Sequence, residues 1–361
     1  MNLRQTIPMD MLEDLRALVE CESPTEDLAA CRKVIDLSNT LSKKVTGIEA
    51  RTFEENGRPV FWLGAKNPKV VLLCHLDTVW PIGSFTPIWE VKGDTARGPG
   101  CYDMKAGFIQ ALYAMKELDL EKVALIATTD EETGSETSRP LIEKVSKEAS
   151  AVLVLESAID GKVKVGRKGT AMYRITIHGR AAHAGLEPEK GINATVEIAK
   201  IVEQLINLAN PQTGTTVVPT LMKSGTTTNT VPALATLEID ARSFQVKEME
   251  RVEREIKSLR PSHPEARIEI SGGINRPPLE EKSTSELMKL CKVSAKRIGI
   301  EIGSAVVGGA SDGNFAGIHT RVLDGLGAVG SGAHALTENV SISHLEERSK
   351  LLVELVREIL K

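Results

Sequence analysis

Three apolar runs, Val70–Cys74, Val123–Ala127 and Ala151–Leu155, contain no polar position and so read as strands covered on both faces. Helical periodicity lies around them, over Pro8–Glu20 and Glu26–Lys44, then from about Lys105 to Glu117 and near Glu136–Lys147. With further strands near Glu49–Phe53 and Val60–Leu63, the alternation predicts a doubly wound α/β sheet. After Gly169 the order changes. A strand at Ala171–His178 and a helix at Gly191–Leu208 precede strands at Thr215–Lys223 and Ala233–Ser243. A helix at Val246–Leu259 and a strand at Ala266–Ser271 complete a β-α-β-β-α-β, ferredoxin-like block. Gly272–Gly273 and Pro277–Pro278 then mark a return to α/β grammar, ending in a helix at about Leu345–Leu360. The expected organisation is a mixed, doubly wound α/β domain of residues 1–168 and 275–361, interrupted by a smaller α+β domain of residues 169–274.

Composition narrows the class. A length of 361 residues suits two domains, and 41% hydrophobic with 26% charged residues is ordinary for a soluble globular protein. A net charge of −4 supplies no basic stripe for nucleic acid. Acids interrupt the apolar positions of Met1–Glu20, so no signal peptide is expected, and every apolar run is far shorter than a membrane span. The five cysteines, at 21, 31, 74, 101 and 291, are scattered and form no CxxC pair, which predicts a reduced, cytoplasmic protein. Cys74 and Cys101 are read as small buried neighbours of the acids.

The candidate chemistry sits where the apolar runs and glycine turns end. VVLLCHLDTV (Val70–Val79) carries His75 and Asp77; GPGCYDMKAG (Gly98–Gly107) carries Asp103. TTDEETGS (Thr128–Ser135) carries Asp130, Glu131 and Glu132; LVLESA (Leu153–Ala158) carries Glu156; GAHALTENV (Gly332–Val340) carries His334. Strand ends in open α/β sheets are where ligands bind. Each position also has an ordinary reading: His75 as a satisfied strand-end histidine, Asp103 as a helix N-cap, the three acids as a solvated loop. Together they suggest a metal-dependent hydrolase, because adjacent acids at the end of a buried strand repel unless cations neutralise them. Two zinc ions carry four positive charges. Asp103, Glu132 and Glu156 as ligands, with a bridging hydroxide, balance them, leaving Glu131 as general base. Asp77, two residues after His75, faces the same side and could orient its imidazole.

This ordered set resembles the M20 family of di-zinc metallopeptidases and deacylases, most closely its glutamate carboxypeptidase (carboxypeptidase G2) branch. The similarity extends over nearly the whole chain and includes GRAAHAG (Gly179–Gly185) in the inserted block. The resemblance implies that His75, Asp103 and Glu156 hold one zinc and Asp103, Glu132 and His334 the other, with Asp103 bridging. It also implies that Glu131 is the base and Asp77 the outer aspartate, that cobalt or manganese can substitute, and that the inserted domain forms a homodimer. Met104 stands where the branch often has a second acid. Glu at 156 fits carboxypeptidases and desuccinylases, whereas the family's tripeptide aminopeptidases use Asp there.

By the same resemblance, His183 reaches the scissile carbonyl across the dimer, Asn229 of TNTVP binds substrate, and Arg276 of NRPP pairs with a substrate carboxylate. Lys162 could receive a glutamate side chain or be a surface lysine. Gly308–Asp312 resembles a glycine-rich loop lining the site. The expected activity is hydrolysis of an amide next to a free carboxylate, releasing C-terminal glutamate or a similar amino acid from a small peptide or N-acyl amino acid. An N-acyl amino acid deacylase of the acetylornithine deacetylase or succinyl-diaminopimelate desuccinylase type would share every metal residue. A non-catalytic dimeric binding protein on the same scaffold is the rival from another class.

Overall fold

A computed structural model describes residues 9–361 of the chain. The first helix is Met9–Glu20; Pro8, where the helical pattern begins, lies outside the described residues. The chain divides into two compact units. One runs to Gly166 and resumes as Leu279–Val307 and Ser311–Lys361; the other is Arg167–Pro278 with Gly308–Ala310. The sequence pattern put the breaks at 168/169 and 274/275, a few residues from these.

In the first unit a six-stranded sheet has the order Arg51–Glu55, Arg58–Gly64, Val123–Thr128, Val70–His75, Ala151–Val154, Arg321–Leu323. The first two strands are antiparallel to their neighbours, and the remaining four run parallel. Side chains alternate between two cores. Val70, Leu72 and Cys74 join one with the helices Met9–Glu20, Ala106–Met115 and Ser343–Ile359, while Val71 and Leu73 join another with Ile142, Val145 and Phe315. Both faces are therefore covered, which is why these strands show no polar alternation. The parallel strands bring the residues after His75, Thr128 and Val154 to one edge. Two glycines make that edge possible. A Cβ on either Gly107 or Gly327 would come within 2.1 Å of the Leu155 carbonyl oxygen, so only glycine lets the chain pass so close beside Glu156.

The second unit has the element order β-α-β-β-α-β: Gly169–His178, Ala194–Ile206, Thr216–Ser224, Leu234–Ser243, Val246–Ser258, Arg267–Arg276. Its antiparallel sheet has Thr216–Ser224 and Arg267–Arg276 as outer strands. Ala235, Leu237, Ile239 and Ala241 alternate inward under Ile198, Ile201, Leu205, Met249, Val252 and Ile256, the apolar stripes of its two helices. Outer-strand Val218, Leu221 and Met222 are exposed.

In this unit Glu248 fastens the Val246–Ser258 helix to the turn before the outer strand. Both its oxygens accept from Arg251, and one also from the Thr213 and Thr215 hydroxyls. The Arg251 bond, aided by the threonines and opposed by desolvation, lowers its pKa from 4.5 to about 2. A lowered folded-state pKa stabilises above the unfolded value and ceases to do so as pH falls through the folded one. Glu248→Gln should thus lower Tm by a few degrees near pH 7, since about 1 kcal/mol moves Tm by about 2–8 °C. The gap between variant and wild type should close as pH drops from about 4.5 to about 2. A gap of constant size across that range would show that the charge of Glu248 is not what holds the turn.

Candidate metal centre

His75 ends its strand buried among carboxylates. Its Nδ1 lies 3.0 Å from the Asp77 carbonyl oxygen and 3.4 Å from Asp77 Oδ1. Facing acceptors there, the neutral ring keeps its proton on Nδ1 and turns the Nε2 lone pair the other way. Nε2 lies 3.5 Å from Asp103 Oδ1 and 3.5 Å from Glu156 Oε1. On the far side of Asp103, Oδ2 is 3.4 Å from His334 Nε2, which is 3.2 Å from Glu132 Oε2. Two sets of ligand atoms therefore meet, each within 4.8 Å: His75, Asp103, Glu156 and Asp103, Glu132, His334. Asp103 belongs to both and presents one oxygen to each histidine.

This donor set suits divalent ions. Buried His75 Nε2 and Asp103 Oδ1 have no hydrogen-bond partner among the described residues, although each is a strong polar atom. Polar atoms buried in this way are costly unless something binds between them. Imidazole nitrogen with carboxylate oxygen is the chemistry zinc takes. Charge points the same way. Burial opposes protonation of His75, yet the carboxylates of Asp103, Asp77 and Glu156 hold its pKa well above the ordinary value. Hydrogen bonds to Asp103 and Glu132 raise His334 to about 10. Burial would raise Asp103, but His334 and His75 hold it well below the carboxylate range. Burial raises Glu132, helped by the Asp103 charge and opposed by His334.

Neighbouring groups fix this arrangement. Asp77, wholly buried, accepts from the Thr25 hydroxyl at 2.8 Å and from the backbone N–H groups of Glu131 at 3.3 Å and Glu132 at 3.1 Å. It thus holds the acidic turn as well as touching the His75 ring. Glu131 is buried and lines the same small void as His75 and Glu156. Asp130, the first acid of the run, turns away: its Oδ2 accepts from Thr137 N and Ser138 N, in the turn that leads into the Arg139–Glu148 helix. Asp103 is no N-cap. The helix begins at Ala106, and Asp103 has φ −118° and ψ 91° with a cis peptide bond to Met104. Cys74 and Cys101 are buried, their thiols pushed up by desolvation, and neither belongs to a ligand set. Lys162 is exposed, with its stem over the position of Gly303; the lysine near Glu156 is Lys164, with Nζ 3.8 Å from Oε2.

The substrate-side residues of the second unit are partly gathered. His183 Nδ1 accepts from the N–H groups of Gly185 and Leu186, both at 3.1 Å, so the ring proton sits on Nε2 and can be donated. The Ala184 N–H donates to the Asn229 carbonyl at 2.9 Å, which ties the His183 and Asn229 loops together. Arg276 is buried at the end of its strand. Ser311 and Asp312 of the glycine-rich segment fall in the first unit, and Asp312 lines the void beside Glu131.

One residue escaped the sequence reading. Glu338, fully buried, accepts from Gly100 N at 3.0 Å, Tyr102 N at 2.9 Å, Asp103 N at 3.0 Å and Trp80 Nε1 at 2.8 Å. It grips the loop that presents Asp103. The available signal was slight, an acid directly before the short Asn339–Ser341 strand, in which only Val340 is buried. Glu338→Gln would set an amide NH2 against N–H donors, costing about 1–3 kcal/mol in stability. Metal affinity, measured by competition with a chelator, should fall by about 10–100-fold, as for other groups that orient ligands. Unchanged affinity in a folded variant would show that the Asp103 loop holds itself.

Comparison with known proteins identifies the family. Residues 71–358 match the model of peptidase family M20/M25/M40. Carboxypeptidase G2 of Pseudomonas sp. is 31% identical over 314 residues, covering 82% of this chain and 74% of that protein. A succinyl-diaminopimelate desuccinylase of Pelagibacter ubique is 24% identical over 90% of this chain and 88% of its own length. Among solved structures, an aminopeptidase PepT of Bacillus cereus superposes with a TM-score of 0.81 at 22% identity, covering 97% of this chain and 98% of that one. The chain belongs to the M20 metallopeptidases, a family of metal-dependent hydrolases that act on amide bonds.

Proposed function

We propose that this enzyme is a homodimeric di-zinc carboxypeptidase that releases C-terminal glutamate or a similar amino acid. The observation that carries the metal reading is the pair of ligand sets sharing Asp103, with unpartnered His75 Nε2 and Asp103 Oδ1 at their junction. His75, Asp103 and Glu156 would hold one ion and Asp103, Glu132 and His334 the other. Two divalent ions held by these residues would supply Lewis acidity, toward a substrate carbonyl and toward a water. Glu131 accepts the water's proton and returns it to the departing amine. His183 donates its Nε2–H to the carbonyl oxygen as negative charge develops, and Asn229 helps hold the substrate. Arg276 pairs with the free carboxylate.

The likeness to carboxypeptidase G2 supports the leaving group. The desuccinylase relatives support a second reading, an N-acyl amino acid deacylase, which a panel of dipeptides and N-acyl amino acids separates from the first. The domain at 169–274 is assigned to dimerisation. Its outer strand exposes Val218, Leu221 and Met222, and a second copy would cover that edge.

Chelation should abolish activity and zinc or cobalt restore it. Glu131→Gln should keep its metal while turnover falls by about 10²–10⁴; Glu132→Gln should lose metal. Equal metal content in the two variants would refute this division between adjacent glutamates.

His183 is assigned to the partner subunit's site. Homodimers of His183→Ala and of Glu131→Ala should both be nearly inactive. Mixing them with subunit exchange makes about half the dimers hybrid, each with one intact site, so about a quarter of wild-type activity should return. No recovery, with exchange confirmed by a tag, would place His183 in its own chain's site or outside the reaction.

A further inference from the structure

Beside Glu132 the first unit contains a cleft of about 740 Å³, within the size range of small-molecule sites. Its wall is apolar: Leu28, Val79 and Ile82 line it with exposed side chains, next to Pro24 and Pro81. Among the described residues its charged lining residues are all acids, Glu26, Asp27 and Glu132, with no lysine, arginine or histidine. The Asp27 carboxylate caps the Leu28–Thr46 helix by accepting from Ala29 N and Ala30 N, which holds it in place. Glu132 is also a member of the Asp103–His334 ligand set, so the cleft shares one wall residue with the candidate metal centre.

We propose that this cleft takes the acyl side of the substrate and selects an uncharged, apolar acyl chain against one that ends in a carboxylate. The inference rests on the metal-centre reading above and adds a substrate class to it. A substrate bond cleaved at the metals has two sides. The leaving amino acid carries the free carboxylate, which Glu26 and Asp27, with no cation beside them among the described lining residues, would repel, so the cleft suits the other side. An aliphatic or arylalkyl chain lying on Leu28, Val79 and Ile82 leaves water, and each methylene so buried tightens binding by up to about fourfold. A succinyl chain reaching the same wall brings a negative charge toward Glu26 and Asp27. The same cleft therefore favours peptidase or apolar-acyl chemistry over desuccinylation.

Hydroxamates test this apart from the leaving group, because they chelate the metal and project only an acyl chain. Zinc-loaded protein is titrated calorimetrically with acetohydroxamate, hexanohydroxamate, 4-phenylbutyrohydroxamate and succinic monohydroxamate. The two long apolar probes should bind at least about tenfold tighter than acetohydroxamate, and succinic monohydroxamate no tighter than acetohydroxamate. Ile82→Lys, at an exposed position, should remove the apolar gain and tighten the succinic probe by about tenfold. Equal affinity for all chain lengths, or preferential binding of the succinic probe by wild type, would overturn the assignment. If the apolar ladder holds but no N-acyl glutamate is hydrolysed, the cleft assignment stands and the leaving-group reading fails. If N-acyl glutamates are hydrolysed without any ladder, the reverse is true.

Discussion

Buried charge is the constraint around which the first unit is built. Asp103, Glu131, Glu132 and Glu156 share a space with His75 and His334, and each carboxylate alone would be expensive to remove from water. Parallel strands solve the placement. They end at one edge, so the loops after them converge while their apolar bodies stay packed on both faces. Converging loops are mobile unless held, and two further carboxylates hold them. Asp77 takes the N–H groups of Glu131 and Glu132; Glu338 takes those of Gly100, Tyr102 and Asp103. Acids thus serve the cluster twice, as candidate ligands and as acceptors that freeze the backbone presenting them.

The second unit is organised by a simpler rule. An antiparallel sheet buries one face under two amphipathic helices, and polar residues alternate outward. Its candidate substrate residues stand on loops that hydrogen bonds define, as the His183 ring shows. Two backbone donors on Nδ1 select the tautomer, and the proton is left where a substrate could receive a hydrogen bond.

Much of this was legible in the sequence because it depends on period and on violations of period. The runs at 70–74, 123–127 and 151–155 could only be covered strands, and a histidine or acid directly after such a run demands a partner. The β-α-β-β-α-β order of the second unit was equally plain, since its strands alternate and its helices carry stripes. What stayed hidden depends on contacts between distant residues. Asp130 looks like its two neighbours, yet its carboxylate faces backbone donors just before the next helix, seven and eight residues on. Glu338 reads as a loop acid until the fold brings it against residues 235 or more positions earlier. Lys162 and Lys164 differ by only two positions, yet Lys164, inside the Val163–Arg167 strand, is the one near Glu156, while Lys162 lies just before that strand.

The long reach of Glu338 also sets an order of events. As the chain leaves the ribosome, His75, Asp103, Glu132 and Glu156 are all present while His334 and Glu338 are still unmade. Until those last two arrive, the Asp103 loop lacks its grip and the second ligand set lacks its histidine. A nascent chain can therefore offer a metal ion only an incomplete and loosely held set of groups. Synthesis of His334 and Glu338 turns that set into the complete cluster, so a chain truncated before His334 would not release a fully formed centre.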